Sequence, residues 1–307
     1  MLYEAFKAFI VGLVEGITEW LPISSTGHMI LVDEFLKLDV SDQFLAMFLV
    51  VIQIGAILAV IILYFNKLNP FSPSKTPEGR RATWHLWGMV VIGCIPAAVV
   101  GLLLDDWAEE HLFNATVVAA MLILYGIVFI VLEHRNRTHE AEYDAHVASK
   151  LVGKHARMEG SGYEDGDIFR ISSVDDIGPA EAIKIGLFQC LAVVPGTSRS
   201  GATIIGGMLC GCSRVAAAEF TFFLAIPIML GWGLVKVAKF VAAGLALTAT
   251  EVVVLVVGLV TAFVTSILAI KFLLAYIKRN DFAAFGWYRI VVGLVVLGYF
   301  AFTGNLF

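Results

Sequence analysis

Charge is scarce in this 307-residue chain: Asp, Glu, Lys and Arg make up 15% of it, against 59% hydrophobic residues. An ordinary soluble domain carries about 25% charged residues, and the mean hydropathy here is +0.85. That balance excludes a soluble globular domain with a charged surface. Cysteine is also sparse. Cys94, Cys190, Cys210 and Cys212 all lie in apolar segments. Cys210-x-Cys212 does not have the usual zinc spacing and has no His close by, so helix packing explains these cysteines better than half a metal site does. A secretory leader is not expected either. Met1–Trp20 carries Glu4, Lys7, Glu15 and Glu19 where an uncharged core belongs, so it is expected to be mature protein. The net charge of −5 decides little, because the distribution of charge matters more than its sum.

What the chain has in abundance is long apolar runs. Phe44–Phe65 is interrupted only by Gln53, Leu86–Leu104 and Ala115–Leu132 are uncharged, Val215–Val235 carries only Glu219, Val252–Ile270 is clean, and Phe285–Phe302 carries only Arg289. Runs of about 18 or more such residues suit bilayer-spanning helices, which gives six spans.

Two further segments, Leu2–Leu36 and Ala180–Leu209, are too interrupted by polar residues, Gly and Pro to cross straight. Irregular backbone at membrane depth is tolerated where it is buried in protein or lines a cavity. Both are expected to be re-entrant helix–loop–helix hairpins. The halves resemble each other in order: Gly12-Leu13-Val14-Glu15 with Gly186-Leu187-Phe188-Gln189, Pro22-Ile23-Ser24-Ser25 with Pro195-Gly196-Thr197-Ser198 after a one-residue slip, Gln53 with Glu219, and Gly93–Ala97 with Gly258–Ala262. A hairpin plus three spans per half is an odd number of crossings, so the second half must be upside down relative to the first. The expected fold is an all-α polytopic membrane protein with an inverted-topology repeat, six transmembrane helices and two re-entrant hairpins. The first repeat would run over 1–133, a charged cytoplasmic linker over 134–178, and the second repeat over 179–307.

Lys and Arg set the orientation. Lys67, Lys75, Arg80 and Arg81, the linker with Arg135, Arg137, Lys150, Lys154, Arg157 and Arg170, and the group Lys271, Lys278 and Arg279 alternate so that all face the cytoplasm. Residues 105–114 then face outward; Lys236 and Lys239 run against this pattern. The linker, with His134, His139, His146 and His155, reads as a partly disordered solvated stretch rather than a metal site.

Polar residues concentrate in two loops, Glu15–His28 and Pro195–Thr203. Ionisable groups at membrane depth are costly, about 2.5–3.5 kcal/mol each on an insertion scale, and mark functional sites. Glu15 and Glu19 share a helix face and repel unless a cation lies between them; hard oxygen ligands suit Mg²⁺ or Ca²⁺. The bland alternative is a wet interfacial helix. Ser24-Ser25-Thr26-Gly27 runs into an apolar helix, where backbone N–H groups favour phosphate and where Ser and Thr also serve as plain caps. His28 lies one turn beyond and could exchange a proton with Ser25. Arg199 has a planar fork suited to phosphate, flanked by the donors Ser198, Ser200 and Thr203 and by Gly201, which permits close approach. The alternative for Arg199 is a structural ion pair with Glu15, Glu19 or Glu219. Gln53, Gln189 and Glu219 are weaker candidates, as apt for interhelical hydrogen bonding as for chemistry.

These two motifs resemble those of the undecaprenyl-pyrophosphate phosphatase family, the integral-membrane type linked to bacitracin resistance. The resemblance spans nearly the whole chain and extends to Gln53-Ile-Gly and Glu219-Phe-Thr-Phe-Phe-Leu-Ala; the linker looks longer and more charged than usual. It implies a bacterial inner-membrane hydrolase that removes the terminal phosphate of undecaprenyl diphosphate. It implies a site toward the periplasm, divalent-cation dependence, and roles for Glu15, Glu19, Ser25, His28 and Arg199. The expected partners are a polyprenyl diphosphate and membrane lipid, with homo-oligomers possible and no nucleic acid. The mechanism expected is attack by Ser25 on the terminal phosphorus with His28 exchanging protons, Arg199 and a metal on Glu15 and Glu19 neutralising the diphosphate. The rival reading is a transporter or flippase of a lipid phosphate, which needs anion-binding groups but no nucleophile. A purely structural membrane subunit would leave the buried charges unexplained.

Overall fold

The computed structural model describes residues 1–151, 169–244 and 246–303, and its described residues are almost entirely helical. The helices are α1 (Leu2–Thr18), α2 (Ser25–Phe35), α3 (Asp42–Leu63), the short α4 (Phe65–Leu68), α5 (Pro77–Leu112), α6 (Ala115–Leu151), α7 (Pro179–Cys190), α8 (Arg199–Leu209), α9 (Arg214–Ala242), α10 (Ala249–Ile277) and α11 (Ala283–Thr303). Six of them, α3, α5, α6, α9, α10 and α11, are long and apolar enough to cross a membrane. Five contain a whole run read from the sequence, and α3 stops at Leu63, two residues before the end of Phe44–Phe65. The helices overrun those runs: α5 begins at Pro77 rather than Leu86, with Thr76 capping its polar first turn by accepting from Gly79 N. α6 continues past Leu132 into the stretch read as linker. Residues 152–168 of that stretch, including His155, lie outside the described residues.

The pattern of burial is that of a lipid-facing bundle. Leu102, Leu103, Val256 and Leu268 are among the large apolar side chains exposed on the spanning helices. Helix α9 runs through the middle, with Phe220, Phe222, Phe223 and Leu224 fully buried. Surface that would drive aggregation in water is what a bilayer covers.

Helices α1 and α2, and α7 and α8, form the two hairpins, each turned at a short irregular segment. The helix contacts pair off between halves: α1 lies along α10 as α7 lies along α5, while α3 meets α9 and α6 meets α11. The crossings use the same residues. A Cβ on Gly12 would stand 2.5 Å from the Gly258 carbonyl oxygen, and one on Gly186 would overlap the Gly93 carbonyl oxygen. These are the glycines that the sequence comparison set side by side, now seen in reciprocal contact. Small residues allow such backbone approach where lipid gives helices no hydrophobic reason to associate.

The caps also match, with one correction of register. Ser24 (φ 72°, ψ 99°) accepts from Gly27 N and Ser198 (φ 71°, ψ 115°) accepts from Gly201 N. They are the only non-glycine residues at positive φ among those described. The geometry thus pairs Ser24 with Ser198, at the same spacing as Gly12 and Gly186, whereas the sequence comparison set Ser25 against Ser198. The slip is confined to the turn before the cap.

The glycine contacts give a test. Gly12→Leu should destabilise the detergent-solubilised protein by about 3 kcal/mol or prevent folding, because overpacking against backbone has no cheap relaxation. Gly88, whose Cβ would meet nothing within 4 Å, should accept Ala with a gain of up to about 1 kcal/mol from helix propensity. Thermal unfolding of both variants against the parent checks the contrast.

Candidate active site

The two loops that break the hairpins lie against each other. Ser200 Oγ donates to the backbone oxygens of Glu19 (3.1 Å) and Leu21 (3.4 Å). The starts of α2 and α8 thereby face one cavity of about 220 Å³, lined by Glu19, Ser25, Thr26, Ser198, Arg199 and Ser200, with Gln53 of α3 and Gln189 of α7. Two helix N-termini at one cavity present their unpaired N–H groups and positive dipole ends together, an arrangement suited to anions.

Within the cavity, three side chains form a chain of hydrogen bonds. Ser25 Oγ donates to Glu19 Oε2 (2.9 Å), and Arg199 Nη2 donates to Glu19 Oε1 (2.7 Å). Arg199 Nη1 donates to Thr221 O (3.0 Å), and its guanidinium stands 5.9 Å from the Trp20 ring. Glu15 Oε1 is buried with no partner. A hydroxyl bonded to a carboxylate is a nucleophile next to its base, and a guanidinium held at one edge can turn its fork to a phosphate.

Known proteins decide what this arrangement belongs to. The family model described as Bacitracin resistance protein BacA matches residues 8–295. The chain belongs to this family. A protein of Enterococcus faecalis, named undecaprenyl-diphosphatase, is 50% identical over 97% of this chain and 98% of its own length. Proteins of the same name from Desulfitobacterium hafniense and Streptococcus thermophilus are 49% and 51% identical, over 98% and 97% of this chain and 97% and 94% of their own.

The structure distributes the predicted residues unevenly across this family's two motifs. Glu19, Ser25, Thr26, Ser198, Arg199 and Ser200 reach the cavity. Ser24 and Ser198 spend their side-chain oxygens on capping, and the Gly201 N–H is spent on the Ser198 cap. Thr203 is fully buried, donates to Arg199 O (2.9 Å) and accepts from Thr221 (2.8 Å), which braces α8 against α9. His28 does not meet Ser25. Its Nδ1 lies 2.8 Å from Ser24 O, a carbonyl that can only accept, so Nδ1 carries a proton. Its Nε2 lies 2.8 Å from the Tyr288 hydroxyl. Both ring nitrogens are therefore engaged away from the nucleophile. Glu219 is also elsewhere, accepting from Tyr64 Oη (3.1 Å). Of the three carboxylates weighed as partners for Arg199, the ion pair forms with Glu19. Among the described residues no three His, Cys, Asp or Glu side chains gather as a metal site.

Two contributions were underread in the sequence. Arg289, noted only as the one charge in the last span, is fully buried. It donates to Pro22 O (3.2 Å) in the first loop and to Gly196 O (3.0 Å) and Thr197 O (2.9 Å) in the second. Its single charge in Phe285–Phe302 was a signal available beforehand, since a buried charge in a span must find acceptors. Gln189 is 3% exposed and neither amide atom has a partner. It occupies in α7 the place that Glu15 takes in α1. A buried amide facing a cavity without a protein partner is satisfied by what fills the cavity.

Gln189 supports a prediction in which stability and activity separate. Replacing the unsatisfied amide by an apolar group of similar shape should leave thermal stability equal or higher. Loss of one hydrogen bond to a charged ligand, about 1.5–3 kcal/mol, should lower kcat/KM by about tenfold or more. Gln189→Leu is therefore expected to be stable and slow. An unstable but fully active variant would show a packing role instead.

Proposed function

We propose that this protein is an undecaprenyl-diphosphatase of a bacterial inner membrane, hydrolysing the terminal phosphate of a polyprenyl diphosphate and so returning the lipid carrier to peptidoglycan synthesis. The observation that carries the reading is the hydrogen-bonded series Ser25–Glu19–Arg199 at the head of two facing helices, in a chain half identical to relatives of that name. The nucleophile also speaks against the carrier reading, because a transporter has no use for a serine hydroxyl bonded to a buried carboxylate.

The diphosphate enters at the starts of α2 and α8. Arg199 turns from Glu19 to the terminal phosphoryl oxygens, where charge grows in the transition state. Glu19, released from that pair, takes the Ser25 proton. Ser25 Oγ forms a bond to the terminal phosphorus as the bond from that phosphorus to the bridging oxygen breaks, and polyprenyl phosphate leaves. Water then cleaves the phosphoserine, restoring Ser25 and giving inorganic phosphate. His28, bonded to Ser24 O and Tyr288, fixes the cap beneath Ser25 rather than exchanging its proton.

A divalent cation, Mg²⁺ or Ca²⁺, would be held by Glu15, whose buried Oε1 has no protein partner, and by Glu19, whose oxygens accept from Ser25 and Arg199 here. Two carboxylates are a partial set for such an ion, and oxygens from substrate and water would have to complete it. It would supply positive charge against the diphosphate.

Release of phosphate from undecaprenyl diphosphate by the purified protein, with and without chelator, tests the activity. Three variants test the roles. Glu19→Gln should lower the rate by about 100-fold or more, the scale of a lost general base. Arg199→Lys, which keeps charge but loses the fork, should cost at least about tenfold, or 1.4 kcal/mol. His28→Gln should cost less than Glu19→Gln. If His28→Gln is the more damaging, the proton passes through the imidazole instead.

Orientation is tested separately. The basic loops put the N-terminal end of α5 in the cytoplasm, and the cavity residues Ala97, Val100 and Gly101 lie nearer its other end. This supports the proposal of a site toward the periplasm, within an inverted repeat of two re-entrant hairpins. The exposed positions Glu78 and Glu110 lie in the first and last turns of α5. In a background lacking the native cysteines, Glu110→Cys should react with an impermeant thiol reagent on intact cells and Glu78→Cys should not. The opposite labelling would place the site on the cytoplasmic side.

A further inference from the structure

A polyprenyl diphosphate has two ends of opposite chemistry, and the catalytic cavity accounts for only one. A second cavity of about 240 Å³ adjoins it, between α5 and α9. The two share the lining residues Ala97, Gly101, Ile228 and Trp232, so they lie side by side. Their linings differ. Glu19, Arg199 and the unpartnered amide of Gln189 mark the polar end. The second cavity has only apolar side chains, glycines and a proline, apart from the Trp232 ring, and reaches exposed Leu102 and Val235 on the outside of the bundle.

We propose that the prenyl chain of the substrate leaves the catalytic cavity through this lateral opening, between α5 and α9, past Ala97, Ala98, Gly101, Pro227, Gly231 and Trp232. The proposal rests on the reading of the protein as a polyprenyl diphosphatase. The glycines here do not serve packing as Gly12 and Gly186 do. A Cβ on Gly231 would meet nothing within 4 Å, and one on Gly101 would meet only Trp232 Cζ2 at 3.8 Å. Glycine is poor in a helix interior, and at these positions its effect is to leave the passage open. Pro227 lies inside α9, where it removes a helical hydrogen bond and bends the helix at the same level. Arg199, Ser25 and the opening then fix a diphosphate with its terminal phosphorus at Ser25 and its ester oxygen toward lipid, so only the terminal anhydride is presented.

The other apolar cavity near the site, about 440 Å³ between α2, α3 and the start of α6, is the competing route. It meets the catalytic cavity only at Thr26 and is lined in part by Asp33 and Glu34. A hydrocarbon chain led that way would pass two carboxylates, whereas the α5–α9 opening presents none.

The experiment compares undecaprenyl, farnesyl and geranyl diphosphates as substrates for the parent, Gly231→Phe and Leu49→Phe, the last filling the competing cavity. Gly231→Phe is expected to lower kcat/KM for undecaprenyl diphosphate by at least about tenfold more than for geranyl diphosphate, through KM, with farnesyl diphosphate between. Leu49→Phe is expected to show no dependence on chain length. In a second measurement, Gly231→Cys in a background lacking the native cysteines should be shielded from a membrane-permeant maleimide by undecaprenyl phosphate and not by inorganic diphosphate. A loss in Gly231→Phe that is equal for all chain lengths, no loss at all, or chain-length dependence in Leu49→Phe alone would each overturn the route while leaving the phosphatase reading intact. A parent protein that releases no phosphate from any of the three would remove that reading, and the route with it.

Discussion

A helix that breaks inside a bilayer exposes carbonyl groups where no water can reach them, and each unsatisfied group costs several kcal/mol. The rest of this structure depends on how those carbonyls are satisfied. The two broken hairpins do it for each other. Ser200 of the second loop donates to Glu19 O and Leu21 O of the first. Arg289, from the last helix, takes Pro22 O of the first loop and Gly196 O and Thr197 O of the second. The irregular backbone that creates the cavity is tolerated because one guanidinium and one hydroxyl tie both turns together.

The same economy governs the charges. A buried ion pair gains little over an apolar replacement, but losing one member leaves a costly bare charge. Glu19 and Arg199, both nearly buried, answer each other at 2.7 Å, and Glu19 keeps its second oxygen on Ser25. On the proposed mechanism, an arriving diphosphate would compete with Glu19 for Arg199 and leave a carboxylate beside a serine hydroxyl, so that binding the anion and activating Ser25 would be one exchange of partners.

Much of this was legible in the sequence, for a physical reason. Spanning helices need long uncharged runs, so α3, α5, α6, α9, α10 and α11 were all visible, and Ser-Ser-Thr-Gly and Thr-Ser-Arg-Ser-Gly carry their caps in local sequence. What stayed hidden depends on contacts far apart in the chain. His28 looked like the base for Ser25 because it lies one turn away, yet its ring is held by Tyr288 from the last helix. The acceptor of the Ser25 proton, Glu19, belongs to the turn before the helix, and only the fold of that turn brings it round. Arg289 stood out as a lone charge, but its partners are backbone oxygens, which no sequence pattern displays. The lengths of α5 and α6 were underestimated because polar turns beyond the apolar run are stabilised by caps and neighbours rather than by hydrophobicity.

The matched positions of the two hairpins carry different side chains. With Ser24 paired to Ser198, the first residue of α2 is Ser25 and the first residue of α8 is Arg199. The next pair is Thr26 and Ser200, and on the preceding helices Glu15 pairs with Gln189. Equivalent backbone sites therefore carry complementary chemistry: a hydroxyl to attack and a guanidinium to hold, a carboxylate and a neutral amide. Two arginines would repel across the cavity and leave nothing to attack phosphorus. Two serines would leave Glu19 charged and unpaired in a dry interior, a loss of several kcal/mol. Two Glu15-like carboxylates would oppose the anion that the helix starts attract. Matched framework with unmatched side chains is what the proposed chemistry requires, with one helix start to neutralise a diphosphate and the other to attack it.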